Sequence, residues 1–331
     1  MHDYDGPDEY PIASIPPIEA WSENYALEIA CPRTGAALLY SSGRLPLDPT
    51  IWRELIMLQL PGGRNFFFKG FGRVQNPHGA GGALIDYEVL EPGRVARLRF
   101  DGPVYACDPA ELVARGTYFD TYFRCRIDIR VEGVSPVWDM KGKTTEAATM
   151  AGSSHLEQIC QASGVIELDG SVHPIDSAYT IRDHSRGVRD LSHYGGHNWL
   201  NGAFPSGRSF FIYAMKAADG VSVGMAEAAV TQDDKLYKAR ILHTDFIDGN
   251  HWGQSHRLIL GSELGEMSVE FARPIACFPI GLLTPFDTCP GSPLSYDTGM
   301  SFDEPMVLRW DGQEGVGWSE RGWAPGAGHQ R

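Results

Sequence analysis

Apolar and polar positions alternate with a period of two through much of the chain. In FRCRIDIRVEG, Phe123, Cys125, Ile127, Ile129 and Val131 share one side, while Arg124, Arg126, Asp128, Arg130 and Glu132 share the other. That is the signature of a half-buried antiparallel strand. Ala96, Leu98 and Phe100 repeat it in VARLRFDG, as do Met267, Val269 and Phe271 in GEMSVEFARP. Asp-Gly pairs stand beside apolar runs at Asp101-Gly102, Asp169-Gly170, Asp219-Gly220, Asp248-Gly249 and Asp311-Gly312. This dipeptide suits the positive φ angles of tight hairpin turns. With 38 Gly and 22 Pro punctuating short strands, the chain reads as all-β, a sandwich or barrel with few helices.

Three short helices are expected. DPAELVARG has an Asp108 cap, Pro109 in the first turn, Glu111 three residues after the cap and Gly116 as a stop. DPTIWRELIML starts with the same device at Asp48, and SSHLEQICQASG opens with a Ser154-x-x-Glu157 box and ends at Gly164. The strand-like GVIELDG follows at once, so this last helix is expected to join two β domains, at 1–163 and 164–331. Each half contains an alternating run closed by an Asp-Gly turn, a weak internal repetition.

Composition narrows the partners. A chain of 331 residues accommodates two domains of about 150 residues each. Apolar residues make up 43% and charged residues 21%, an ordinary globular balance. A net charge of -14, with basic residues scattered among acids, argues against nucleic acid. The opening MHDYDGPDEYPIASIPPIEAW lacks the regions of a signal peptide, and no run of about 18 apolar residues exists for a membrane span. The six cysteines are far apart with no CxxC pair, which fits free thiols and a cytoplasmic location.

Familiar catalytic motifs fail. GQSHR at Gly253–Arg257 lacks the second glycine of a nucleophile elbow, and GFGRVQ and GVGWSE lack the third glycine and βαβ context of a dinucleotide site. His184, His193 and His197 form one histidine group and His243, His251 and His256 another. Neither has convincing ligand spacing, since Gly195-Gly196 interrupts a helix between His193 and His197, so no metal is expected. The densest polar stretch is YTIRDHSRGVRD, Tyr179 to Asp190. It has two readings. His184 beside carboxylates and guanidinium groups acts as a general acid or base, or the cluster is a salt-bridged latch.

HLEQICQASGVIELDGSVHPIDSAYTIRDHSRGVRD, with GHNWLNGAFPSGRSFF and WDGQEGVGWSERGW, resembles bacterial hydroxyneurosporene synthase-like proteins. That group has two lipocalin-like β-barrels, includes carotenoid hydratases and is related to lipocalin-like fungal Diels-Alderases. The resemblance covers most of the chain and implies two antiparallel barrels with a ligand cavity. Family members often carry Asp-His-Ser/Asn-Trp-Gly where this chain has Asp183-His184-Ser185-Arg186-Gly187. A charge thus replaces an aromatic wall suited to a carbocation, which points to a substrate bearing an oxygen or carboxylate.

The expected function is a cofactor-independent hydratase, dehydratase, cyclase or isomerase for a small apolar molecule with a polar handle. His184 would move the proton, Asp183 orient it, and Arg186 or Arg189 hold a substrate oxygen. Tyr179, His155, Gln158, His197, Trp199, Phe204, Tyr213, Trp252 and Trp310 are the expected substrate contacts, and Phe210 is a further candidate wall. A non-catalytic lipocalin-style carrier is the alternative, and self-association is left open.

Overall fold

The structure is a computed structural model. It describes residues 9–19, 21–45, 48–73, 76, 78–108, 121–140, 154–188, 194–217, 219, 221–247, 252–281 and 300–323. These residues fold into two compact units, each built on one antiparallel sheet. The first unit contains β1 (Trp21–Cys31), β2 (Ala36–Leu45), β3 (Asp48–Leu60), β4 (Arg64–Gly72), β5 (Gly79–Ala80), β6 (Ile85–Glu91), β7 (Val95–Cys107), β8 (Tyr122–Gly133), β9 (Trp138–Asp139), β10 (Ser154–Leu168) and β11 (Ser171–Val188). The second contains β12 (Tyr194–Ala203), β13 (Ser209–Ala217), β14 (Val223–Gln232), β15 (Lys235–Thr244), β16 (His256–Ser262), β17 (Gly265–Pro274), β18 (Phe278–Gly281), β19 (Met300–Trp310) and β20 (Gln313–Trp323).

Each sheet closes on itself into an eight-stranded barrel. The first ring runs β4-β3-β2-β1-β11-β10-β8-β7 and is sealed by β4 against β7. The second runs β17-β16-β15-β14-β13-β12-β20-β19 and is sealed by β17 against β19. In both, one closing strand divides its edge between two partners, β7 between β6 and β4, β19 between β17 and β18. Closure leaves the ring no unpaired edge and turns one face of every strand inward.

The inward positions make the cores. Tyr25, Leu27, Ile29, Tyr40, Trp52, Leu98, Ile127 and Ile129 belong to the first, and Leu200, Phe210, Ile212, Leu258, Val269 and Leu308 to the second. β8 keeps the alternation read from its sequence, its burial switching residue by residue. Two Asp-Gly pairs form the expected turns. Asp169 and Gly170 have φ of 47° and 80°, Asp311 and Gly312 have 48° and 71°, the two consecutive positive values of a type I′ hairpin. Asp101-Gly102 instead lies inside β7.

No helix remains where two were expected. DPTIWRELIML lies in β3 and SHLEQICQASG, from Ser154, in β10, and these strands are buried on both faces over Glu54–Leu60 and Ser154–Cys160. A strand covered on both sides loses its period-two pattern and can be mistaken for a helical segment. The third expected helix, after Asp108, lies outside the described residues. The division expected near residue 163 falls within β10, and sheet pairing carries the first unit through Val188. Cys31, Cys107, Cys125, Cys160 and Cys277 are free thiols. No helix among the described residues is long and apolar enough to cross a membrane.

Candidate active site

Strand alternation sorts the expected residues onto two faces of the first barrel. Along β11, Arg182 and His184 point inward with the core, whereas Tyr179, Ile181 and Asp183 point to the opposite face. β10 pairs with it in register, Leu156 opposite His184 and Glu157 opposite Asp183. Directly paired residues share a face, so Glu157 joins Asp183, and His155, two residues before Glu157, joins them. Asp183 therefore cannot orient His184 as the sequence led us to expect. The two neighbours in the chain serve different clusters.

Inside the barrel, His184 Nε2 lies 3.0 Å from Glu23 Oε1, and its ring lies flat on Tyr25, centroids 4.0 Å apart and 10° from parallel. Glu23 is fully buried and accepts a further hydrogen bond from Arg44 Nε at 2.9 Å. Burial alone would raise its pKa, but His184 and Arg44 outweigh burial and hold it below the usual carboxylate range. Arg44 also stacks over Trp52 at 4.4 Å, and Arg186 Nη1 stands 3.9 Å from Glu23. Gln158, expected to touch substrate, donates to the carbonyls of Gly93 and Ser135 at 2.9 and 2.7 Å and accepts from Arg182. A cavity of about 10 Å³, bordered by Tyr25, Tyr87, Leu156, Gln158, Arg182 and His184, adjoins this cluster. That is the room one water needs.

The opposite face carries the second cluster. His155 Nε2 is 2.5 Å from Asp183 Oδ2 and 3.4 Å from Glu157 Oε1, and all three residues are buried. Tyr179 belongs to the same face, and its phenol is held well above its ordinary pKa, first by burial and then by the charges of Glu28 and Glu157. A neutral phenol, an imidazole and two carboxylates thus share a stretch of sheet whose backbone ladder fixes their spacing. Donor atoms of His155, Glu157 and Asp183 lie within 4.8 Å of one another, so this trio could also hold a metal ion. Sequence spacing hid that set, because strand pairing rather than chain proximity assembles it.

In the second unit, His197 Nε2 sits 2.6 Å from Glu320 Oε1, and its Nδ1 is hydrogen-bonded to the Tyr194 hydroxyl. Gly322 makes room for that bond. A Cβ there would stand 2.6 Å from His197 Cε1 and 2.9 Å from Tyr194 Oη. Tyr213 stacks beside His197 at 6.4 Å, and the Nε1 of the buried Trp199 has no hydrogen-bond partner among the described residues. Phe204 and Phe210 are core residues, with Trp310 packed edge-on against Phe204 at 5.2 Å. Trp252 stacks on Phe302 at 5.5 Å. Arg189, His193 and His251 lie outside the described residues.

Sequence reasoning missed Glu23, Glu157, Glu320 and the Arg321–Glu304 pair (3.1 Å) inside the second barrel. One signal was available. An acidic residue such as Glu23, in phase with the apolar Tyr25, Leu27, Ile29 and Cys31 that β1 turns inward, needs a buried partner. Inside the second barrel, His256 lies flat on Phe271 at 4.4 Å and 14°, and its Nε2 is 3.1 Å from the Ser319 hydroxyl. Each barrel interior therefore holds an imidazole stacked on an aromatic ring together with a buried Arg–Glu pair.

Solved structures share this architecture. A Nitrosomonas europaea protein assigned as AttH is 13% identical with a TM-score of 0.56, covering 92% of both chains. CghA, crystallised with Sch210972, is 11% identical with a TM-score of 0.58, covering 94% of this chain and 90% of its own. Kievitone hydratase of Nectria haematococca is 10% identical with a TM-score of 0.52, covering 92% and 89%. At such identities the likeness is one of fold. No curated protein matches the sequence. A family model matches residues 8–325, nearly the whole chain, and the protein belongs to that family, a domain of unknown function designated DUF7064.

Proposed function

We propose that this protein is an acid–base lyase or cyclase acting, without a bound cofactor, on a small apolar molecule that carries one oxygen-bearing handle. The observation that carries this reading is the buried set of His155, Asp183, Glu157 and Tyr179 on one face of β10 and β11. A phenol held protonated can donate to a leaving hydroxyl. An imidazole backed by a carboxylate can accept the proton from the neighbouring carbon. In a dehydration the C–O bond breaks as the hydroxyl leaves with the donated proton. The electrons of the C–H bond then form the double bond, and His155 takes the second proton. Hydration runs the same steps backwards. Support from comparison is that one protein of this fold is named a hydratase. The tie to hydroxyneurosporene synthase-type hydratases rests on the sequence resemblance alone. In this reading His155 takes the proton-transfer role first expected of His184. His184, with Glu23, holds the barrel interior.

The test is incubation of the protein with a panel of apolar alcohols and enones in H₂¹⁸O, followed by mass spectrometry. His155→Ala, Asp183→Asn and Tyr179→Phe are each expected to lose about 10²-fold or more in turnover, the usual contribution of a positioned acid or base. Full activity in His155→Ala would overturn the assignment. Tight binding of panel members without turnover would favour the carrier reading.

A further inference from the structure

The interior mouth of the first barrel carries a polar set that the proposed chemistry does not use. Arg182, 5% exposed, reaches from β11 with one guanidinium nitrogen on the carboxylate of Glu9 and another 2.5 Å from Gln158 Oε1. The second carboxylate oxygen of Glu9 accepts the backbone N–H of Gly93. Tyr25 Oη donates to the Glu9 carbonyl at 2.9 Å. Glu9 belongs to no strand. It precedes β1 in a segment whose hold on the barrel is made chiefly through side chains. Ile12 N–H donates to both oxygens of Glu23 at 3.1 and 3.2 Å, and Arg44 Nη2 donates to the Ile12 carbonyl at 3.2 Å.

Without Glu9, what remains is a buried guanidinium, a backbone N–H aimed at the same point and the small cavity beside Tyr25 and Tyr87, which Glu157 and Asp183 also border. A fixed guanidinium fork with a convergent N–H is the chemistry that recognises a carboxylate. A buried guanidinium without a counter-charge is strongly unfavourable, so the site demands an anion. Releasing residues 9–12 breaks these side-chain contacts and leaves the β-ladder of the barrel intact.

We propose that Glu9 is the resting occupant of a carboxylate-binding site in the first barrel, and that a small free monocarboxylate competes with it and displaces the segment before β1. This does not rest on the acid–base reading, because Arg182 and Gln158 face the barrel interior while His155 and Tyr179 face the other way.

The experiment uses the full chain and propionate, with chloride at equal ionic strength as the control. In Glu9→Gln the competing charge is gone while an amide still reaches Arg182. Propionate is expected to bind this variant at least ten-fold more tightly than wild type by calorimetry, and to raise its melting temperature where chloride does not. In wild type, saturating propionate is expected to speed hydrogen exchange at the Ile12 amide. If Glu9→Gln shows no propionate-specific binding or stabilisation, Glu9 is only a structural latch and the proposal is overturned. Wild-type binding with unchanged exchange at Ile12 also overturns it, because the ligand then sits elsewhere. Should Glu9→Gln fail to fold, the wild-type exchange measurement decides alone.

Discussion

His256 sets an acid limit on the second barrel. Its ring is buried against Phe271, and burial first and the Arg321 charge second push its pKa from 6.5 down to about 3. The unfolded chain therefore takes up a proton near pH 6.5 that the folded chain refuses until about pH 3. Stability from this group is complete above pH 6.5 and is lost as pH falls towards 3. At 1.36 kcal/mol per pH unit, the loss is about 2 kcal/mol at pH 5, and about 5 kcal/mol is the ceiling over the whole window. Glu304, raised chiefly by its own burial, titrates with the opposite slope. The clean quantity is the difference between wild type and His256→Gln, which removes the imidazole and keeps a group able to bond Ser319. Urea unfolding followed at tryptophan from pH 8 to 5 should give wild type the steeper decline, by about 2 kcal/mol at pH 5, with the variant less stable at pH 8. Parallel pH profiles would refute the reasoning, as would a His256 proton resonance that titrates near pH 6.5 in the folded protein.

Removing Glu23 should damage folding before anything else. Glu23→Ala strands Arg44 and His184 in the barrel interior and is expected to cost about 3 to 5 kcal/mol in chemical denaturation, whereas Glu23→Gln should cost less. Gly322→Ala is expected to destabilise by about 1 to 3 kcal/mol, because its methyl group meets His197 and the Tyr194 hydroxyl. The downfield proton of the Tyr194–His197 hydrogen bond should shift in the NMR spectrum of that variant. If His155 works as an acid–base group, chelator should leave activity and melting temperature unchanged. One equivalent of zinc, iron or copper by elemental analysis, lost in His155→Ala, would instead assign His155, Glu157 and Asp183 as its ligands.

What could be read from the sequence follows from how each strand is covered. β8 has one wet and one dry face, so Cys125, Ile127, Ile129 and Val131 announced it. β3 from Glu54 to Leu60 and β10 from Ser154 to Cys160 are dry on both faces, and the capping signals at Asp48 and Ser154 then outweighed a pattern that was not there. The turns at Asp169-Gly170 and Asp311-Gly312 were legible because positive φ at two successive residues restricts the choice of side chain. The residues of the proposed site could be named from the sequence, but their pairing could not. His155, Tyr179, Asp183 and His184 were all named from the sequence. Yet adjacency in the chain joined Asp183 to His184, where a strand sends consecutive side chains to opposite faces. The true partners, His155 for Asp183 and Glu23 for His184, come from β10 and β1, and register is a long-range property that no short window contains.

The ring closure of the first barrel governs the order in which the chain can fold. β1 finds β2 at once across a short turn, but its other neighbour is β11, with Trp21 opposite Val188. During synthesis one edge of β1 stays open until the last strand of the unit has emerged, and pairings between residues so distant in sequence are slow to form. An open strand edge invites pairing with other chains unless charges interrupt it. Glu23 and Glu28 stand at opposite ends of β1 and on opposite faces, so each face of the waiting edge carries a negative charge. In the finished barrel both are buried; on the still-unpaired strand of a nascent chain their charges would disfavour association with other chains.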